Sequence, residues 1–180
     1  MRKNNLVWID LEMTGLDPAK DKILEIATIV TTSELKIVAE GPVLAIAQPD
    51  EVLDKMNDWC LKTFQKNGLC QKVLDAQITE LEAEKETIEF LRQHCDPGKS
   101  PLCGNSVWFD RFFLFHHMPT LYKFLHYRTI DVSTIKEIAK RWYPDSPALE
   151  FKKENNHRAL DDIRESINEL KHYKDCFFVA

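Results

Sequence analysis

The sequence predicts an α/β protein in which a mixed central sheet carries helices on both sides. Apolar segments suited to three strands open the chain, and helices alternate with short strands from residue 49 onward. A length of 180 residues, with 44% hydrophobic residues and five glycines, suits a single domain, residues 1–180, with a substantial core.

The individual elements follow from hydrophobic periodicity and from turn residues. In chain order we expect a strand at 5–12, two strands within 23–46, helices within 49–75 and 79–95, a strand near 101, a helix that contains Asp110, a short strand at 129–132, and helices at 133–143 and 157–175. Residues 144–156 are polar and broken by prolines, which predicts a loop.

Asp10 and Glu12 lie one residue apart near the end of the first strand, so their side chains leave the same face. Apolar residues occupy both faces of this strand, which is typical of a central, buried strand. Buried carboxylates need a partner, and hard oxygen ligands suit Mg²⁺ or Mn²⁺. The pair therefore predicts a divalent-metal site. The alternative is two solvated acids on an edge strand.

Asp110 follows a short apolar stretch and the turn Gly104-Asn-Ser106, a pattern that predicts a strand, a turn and a helix with Asp110 early in that helix. A first-turn aspartate is also favourable simply because it interacts with the helix dipole. Taken alone, Asp110 is therefore open to either interpretation.

The segment from His157 to Asp162 opens the last helix. Apolar residues recur in it at intervals of three and four, at Leu160, Ile163, Ile167 and Leu170. Asp162 is expected about 110° from the centre of this apolar face, bordering the core, whereas Asp161, at about 150°, points to water. A histidine in the position of His157 is often a cap or a surface residue, but its ordinary pKa of about 6.5 also suits it to accept a proton from water.

Together, Asp-x-Glu at Asp10 and Glu12, Asp110, and His-x-x-x-x-Asp at His157 and Asp162 resemble the histidine-bearing (DEDDh) branch of the DEDD exonuclease superfamily. The resemblance implies an RNase H-like exonuclease fold and two Mg²⁺ or Mn²⁺ ions held by the four carboxylates. It also implies that Asp10 bridges the ions and that His157 deprotonates the attacking water.

Within that branch, segments 8–17, 104–106, 126–134 and 157–166 are similar to exoribonucleases that release 5′-mononucleotides from the 3′ end of very short single-stranded RNAs, above all dinucleotides. The similarity covers nearly the whole chain and is poorest at 144–156. It implies a homodimer whose active sites border the subunit interface.

The same resemblance implies how the substrate is held. Leu16 would wedge beside the bases, Trp59 would stack on one of them, and Tyr127 would reach the neighbouring subunit's site. The 5′-phosphate pocket would be formed by Ser106, Arg128, Ser133 and Thr134. From the residues alone, other roles are available: Ser133 as a helix cap, Arg128 as the partner of an acid, and Trp59 as a core residue.

Charge and cysteine content restrict the partners. The net charge of −5, without a basic stripe, suits a substrate with few phosphates better than a long nucleic acid. The five cysteines form no C-x-x-C pair, and neither a signal peptide nor a membrane-spanning apolar run is found. We expect a cytoplasmic enzyme with reduced thiols and no membrane partner.

Two other functions stay open on sequence grounds. One is a general DEDDh exonuclease that trims or proofreads longer DNA or RNA. The other is a non-catalytic nucleotide-binding dimer that kept the fold and lost the chemistry.

Overall fold

The structure is a computed structural model that describes residues 4–152 and 158–178. A five-stranded sheet forms its centre, with strand order β3-β2-β1-β4-β5. The strands are β1 (Leu6–Met13), β2 (Ile23–Thr31), β3 (Ile37–Ala45), β4 (Leu102–Gly104) and β5 (Thr129–Asp131). The first three pair antiparallel and the last two join in parallel, so the sheet is mixed, as predicted.

The helices fill the intervals between and after the strands. They are α1 (Asp50–Leu53), α2 (Asp58–Lys66), α3 (Leu69–Asp75), α4 (Glu80–His94), α5 (Trp108–His117), α6 (Pro119–Phe124), α7 (Val132–Trp142) and α8 (Ala159–Phe177). A short 3₁₀ helix, Pro147–Leu149, lies in the segment predicted as a loop.

Strand β1 is the middle strand of the sheet, which excludes the edge-strand interpretation of Asp10 and Glu12. Alternate residues of this strand enter two separate cores. Val7, Ile9 and Leu11 join one core. Trp8 joins the other and is anchored there by a hydrogen bond from its indole nitrogen to the Thr31 hydroxyl, 3.0 Å long.

Helices cover both faces of the sheet. On one face α4, α5 and α6 bury residues such as Leu91, Phe113 and Leu121 against β1 and β2. On the other face α7 and α8 bury Val132 and Ile163. The predicted fold class is thus confirmed.

Two local predictions need correction. No helix was expected directly after α5, yet Pro119 starts α6 at a position where its fixed φ and missing N–H suit the first helical turn. The last helix begins at Ala159 rather than at residue 157 and ends at Phe177. Within the described ranges, none of the helices is long and apolar enough to cross a membrane.

Candidate active site

Three carboxylates from two elements meet at the end of β1. Asp10 and Glu12 come from the strand, and Asp162 comes from the first turn of α8, which packs across β1 and β2. One carboxylate oxygen from each lies within 4.8 Å of the others. Asp161 instead points outward, with a side chain 44% exposed that pairs with Arg164 at 3.3 Å.

Asp110 lies beside this group and is tied to it through the main chain. The N–H of Leu11 donates a hydrogen bond of 3.0 Å to Oδ1 of Asp110. Asp110 is buried, in the first turn of α5. The strand-turn-helix prediction for this segment is therefore confirmed, and the carboxylate faces the pair on β1.

Burial and mutual repulsion disfavour ionisation of these carboxylates in the metal-free protein. The pKa of Asp10 lies well above its ordinary value, first because of burial and then because Asp110 and Glu12 repel its charge. Burial, followed by repulsion from Asp162, raises the pKa of Glu12 to about 8. Burial raises the pKa of Asp110 to about 7, although the Leu11 N–H opposes the shift.

A divalent cation fits this donor set. Oxygens bound to one Mg²⁺ at about 2.1 Å lie no more than about 4.2 Å apart, so the three-carboxylate group needs only slight closure to bind one. A bound cation would also relieve the repulsion that raises these pKa values. The chemistry of the donors therefore agrees with the metal site that the sequence predicts.

The start of α8 is fixed beside Glu12 by an ion pair. Arg158 Nη2 lies 3.5 Å from Oε2 of Glu25, a buried residue that pairs with Glu12 across β1 and β2. The Asp162 N–H donates to the Arg158 carbonyl oxygen at 3.0 Å. His157 immediately precedes Arg158 and lies outside the described residues.

A cleft leads from Glu12 along the surface. Leu16 and Trp59 line it, and it has a volume of about 460 Å³. Leu16 is 62% exposed and Trp59 is 59% exposed, so the interpretation of Trp59 as a core residue is wrong. Leu16, in the loop after β1, and Trp59, in α2, therefore both expose large apolar side chains to solvent in one groove.

The loop that presents Leu16 is tightly organised around Asp21. The Thr14 hydroxyl and the Asp17 N–H each donate to the Asp21 carboxylate at 2.8 Å. A Cβ atom at Gly15 would lie 2.5 Å from the same carboxylate, so any other residue there would push Asp21 away from these hydrogen bonds. This close packing fixes the backbone on both sides of Leu16.

A second cleft, of about 370 Å³, contains three of the four residues predicted for the phosphate pocket. Ser106, Ser133 and Thr134 line it together with Arg141. The Ser106 N–H donates both to Ser133 Oγ at 2.9 Å and to Asp131 Oδ1 at 3.0 Å. Ser106 adopts a φ of 50°, so these contacts hold a left-handed turn at the mouth of the cleft.

Asp131, and not Ser133, caps α7, because its carboxylate accepts the Ser133 N–H at 2.9 Å. The cap interpretation of Ser133 is therefore wrong, and its hydroxyl takes part in the cleft. Arg128 does not line this cleft. Its guanidinium carbon lies 5.2 Å from the ring centroid of Tyr127, whose side chain is 70% exposed.

Some residues of the site were missed by the sequence argument. Asn105, in the recognised turn, bonds Ser133 Oγ and reaches α8. Asp21 organises the Leu16 loop, and Arg141, which forms an ion pair with Glu137, lines the second cleft. Only the turn at Asn105 carried a recognisable pattern; the other two residues are ordinary surface charges until the chain folds.

The chain matches a known exonuclease family. The profile of the RNase_T exonuclease family covers residues 7–170. The chain therefore belongs to this family of exonucleases.

Individual relatives narrow the assignment. The chain is 58% identical over 176 residues to the oligoribonuclease of Marinobacter nauticus, covering 97% of each chain. It is also 58% identical over 176 residues to the oligoribonuclease of Haemophilus influenzae, covering 97% of this chain and 96% of that relative. Within the exonuclease family, the chain is thus a member of the oligoribonucleases.

Solved structures confirm the fold at much lower identity. An E. coli Exonuclease I–single-stranded DNA complex in its zinc-bound form superposes over 97% of this chain with a TM-score of 0.74 and 17% identity. Exonuclease I from Methylocaldum szegediense gives a TM-score of 0.71 over 96% of the chain at 18% identity. This chain spans about two fifths of the length of those proteins.

Proposed function

We propose that this protein is a metal-dependent 3′-to-5′ exoribonuclease that degrades very short single-stranded RNAs, above all dinucleotides, to 5′-mononucleotides. Membership of the oligoribonuclease family supports this activity, since relatives of that name match nearly the whole chain. The cluster of half-buried carboxylates at the end of β1 is the structural observation that carries the proposal.

Four carboxylates would hold two Mg²⁺ or Mn²⁺ ions. Asp10, Glu12 and Asp162 form a compact donor set, and Asp110 extends it on the side of Leu11. Asp10 would take part in holding the ions, because it lies among Glu12, Asp110 and Asp162, whose charges all act on it. When bound, such ions neutralise the charge that develops on the phosphoryl oxygens and on the attacking and leaving oxygens.

His157 is the proposed general base, and its imidazole takes a proton from the attacking water. The water oxygen bonds to the scissile phosphorus and the bond from phosphorus to the 3′ oxygen breaks. The phosphate stays on the released nucleotide, and the 3′ oxygen of the shortened RNA takes up a proton. The spacing His-x-x-x-x-Asp from His157 to Asp162 supports this role, because it matches the pattern of the DEDDh exonucleases.

The two clefts would receive the two ends of a short substrate. Leu16 would wedge beside a base and Trp59 would stack on one, an interaction tolerant of base identity. Ser106, Ser133 and Thr134 would form the 5′-phosphate pocket. Arg128, which does not line this cleft, is proposed as a planar donor to the same phosphate. A pocket that ends the groove would make substrate length a steric criterion.

We propose that the enzyme is a homodimer. An apolar face on α5 and α6 presents Trp108, Phe112, Phe115 and Tyr122 around a hollow of about 540 Å³. Trp108 lines both this hollow and the second cleft, so a subunit docked on the face would border the proposed pocket. The exposed Tyr127 would then reach into the neighbouring subunit's site.

We also propose that residues 1–180 form one exonuclease domain and that the protein acts in the cytoplasm. The family profile spans 7–170 and the five strands form one continuous sheet, which supports a single domain. The five cysteines lie in the described part of the chain and form no disulfide there, which suits a reducing compartment.

Release of mononucleotides from 5′-phosphorylated RNAs of two to about twenty nucleotides, in Mg²⁺, Mn²⁺ or EDTA, tests the proposal. Metal-dependent cleavage that falls steeply with length is expected, and an Asp10→Asn variant is the control for contaminating nucleases. Flat length dependence would transfer the assignment to a general exonuclease. No cleavage in any metal would leave a nucleotide-binding protein.

A further inference from the structure

A buried carboxylate outside the metal site connects α8 to the second cleft. Glu169 is fully buried and lies seven residues after Asp162 on the same helix. Its Oε1 accepts from the Tyr173 hydroxyl at 3.1 Å and lies 3.4 Å from Lys136 Nζ. Its Oε2 accepts from Asn105 Nδ2 at 3.0 Å. Tyr173, Lys136 and Asn105 therefore all help to compensate the charge of this buried carboxylate.

These contacts set the orientation of the Asn105 amide. An ionised carboxylate only accepts hydrogen bonds, so the amide nitrogen must face Glu169. The same nitrogen donates to Ser166 Oγ at 2.8 Å. The amide oxygen is therefore turned towards Ser133, whose hydroxyl donates to it at 3.1 Å.

This orientation determines what the cleft residues offer. The single hydroxyl proton of Ser133 is committed to Asn105, so the lone pairs of Ser133 Oγ are left to accept. One accepts the N–H of Ser106 at 2.9 Å, and the other faces the Ser106 hydroxyl oxygen at 3.1 Å. Ser133 therefore holds the left-handed turn of Ser106 and does not itself donate to a phosphate. Three hydrogen bonds, through Asn105 and Ser133, therefore connect the buried charge of Glu169 to Ser106 at the mouth of the cleft.

We propose that Glu169 is a positioning residue for the 5′-phosphate pocket and acts through Asn105 and Ser133. The inference rests on the proposed function, because it assumes that this cleft binds the 5′-phosphate. Seven residues of helix span about 10 Å, so α8 holds Asp162 and Glu169 at a fixed separation. The metal site and the pocket are thereby attached to one rigid element, which fits a substrate of fixed length.

The test compares a dinucleotide that carries a 5′-phosphate with the same dinucleotide that lacks it. The wild type should prefer the phosphorylated form. Glu169→Gln keeps the shape but removes the charge that orients Asn105. Asn105→Ala interrupts the connection and takes one donor from Glu169, which keeps Tyr173 and Lys136 as partners. In both variants the preference in kcat/KM should fall by about tenfold or more, the value of one charge-assisted hydrogen bond.

Tyr173→Phe is the matched control, because it removes a different partner of Glu169 and leaves Asn105 in place. It should keep the preference for the 5′-phosphate, and thermal unfolding of all three variants checks that they fold. Equal loss on both dinucleotides in Glu169→Gln and Asn105→Ala would overturn the inference and make Glu169 purely structural. A wild type indifferent to the 5′-phosphate would overturn the proposed pocket itself, and the inference with it.

Discussion

Oδ1 of Asp110 accepts a hydrogen bond from the main-chain N–H of Leu11, the residue between Asp10 and Glu12. This one bond joins the Asp110 carboxylate to the backbone of the Asp-x-Glu segment, across 99 residues of chain. It also fixes which face of α5 turns to the metal site, because the donor belongs to the central strand of the sheet. The fold itself therefore holds Asp110 beside the metal site.

Two substitutions at Asp110 separate charge from structure. Asp110→Asn can still accept the Leu11 N–H, whereas Asp110→Ala leaves this buried donor without its partner. We expect Asp110→Ala to be less stable than Asp110→Asn by about 1–3 kcal/mol in denaturant unfolding. Both should lose activity by at least about a hundredfold, since even groups that only orient metal ligands are worth 10- to 100-fold. Equal stability of the two variants would contradict the structural role of the bond.

The raised pKa values predict an unusual dependence of stability on pH in EDTA. The carboxyl of Glu12 has an ordinary pKa of 4.5 and a folded-state pKa of about 8, and that of Asp110 rises from 3.8 to about 7. Between these values the folded state binds more protons than the unfolded state, so the free energy of unfolding falls as pH rises. Thermal unfolding in EDTA should show a lower midpoint at pH 8 than at pH 5.5.

Mg²⁺ should reverse this trend, because it binds the ionised carboxylates of the folded state. A concentration a hundred times the Kd stabilises by about 2.7 kcal/mol, and the gain should be larger at pH 8 than at pH 5.5. Asp10→Asn is the control, since it removes one repelling charge. In EDTA at pH 8 it should unfold at a higher temperature than the wild type. A lower midpoint would show that Asp10 stabilises the metal-free fold.

Local sequence patterns predicted the elements but not their long-range contacts. The apolar residues on both faces of β1 indicated a central strand, and the periodicity of α8 placed Asp162 beside the core; both predictions are confirmed. Hydrophobic burial is non-directional, so the same pattern cannot say which residue meets which. The bond from Leu11 to Asp110 depends on the parallel pairing of β1 with β4, which no local pattern records.

In the second cleft, too, local patterns were readable from the sequence but the long-range contacts were not. Ser133 was open to interpretation as a cap, yet Asp131, two residues earlier, takes that role and leaves the Ser133 hydroxyl to Asn105. Glu169 looks in sequence like one of many charges on an amphipathic helix. Only tertiary packing buries it and gives it Asn105 as a partner.

His117 connects the Leu16 loop to two helices, and its titration should change the free energy of unfolding measurably. Its Nε2 contacts the Pro18 carbonyl oxygen at 2.9 Å and its Nδ1 lies 3.3 Å from Glu80. The hydrogen bond with Glu80 raises the pKa of His117 above 6.5. The ion pair therefore contributes fully below pH 6.5 and is lost as pH rises through the folded-state pKa.

Glu80→Gln should accordingly destabilise the protein by up to about 1 kcal/mol at pH 6 and by less at pH 8.5, measured by denaturant unfolding. Glu86→Gln, an exposed position on the same helix, is the control and should have little effect at either pH. A Glu80→Gln effect that is the same at both pH values would rule out the ion pair as its cause.

Trp59 should contribute to substrate binding more than to stability. Base stacking is worth about 1–3 kcal/mol, so Trp59→Ala should lower kcat/KM on a dinucleotide by about 5- to 150-fold. Because the side chain is 59% exposed, unfolding should change by less than about 1 kcal/mol. Trp59→Phe keeps an aromatic face and should recover most of the activity. An Ala variant with unchanged kcat/KM would remove Trp59 from the site.

Tyr127 and Asp10 should complement each other between subunits if the proposed dimer forms. Tyr127→Ala and Asp10→Asn should each lower activity as pure homodimers. In a mixed dimer, one site combines the intact Asp10 of one subunit with the intact Tyr127 of the other, so random co-assembly should restore about a quarter of the sites. Restored dinucleotide hydrolysis on co-expression, relative to the two separate preparations, measures this effect.

If Tyr127 served its own subunit's site, every site in the mixture would carry one lesion and activity would not recover. A Phe112→Glu substitution, which places a charge on the apolar face of α5, should abolish the recovery and give monomers in sedimentation.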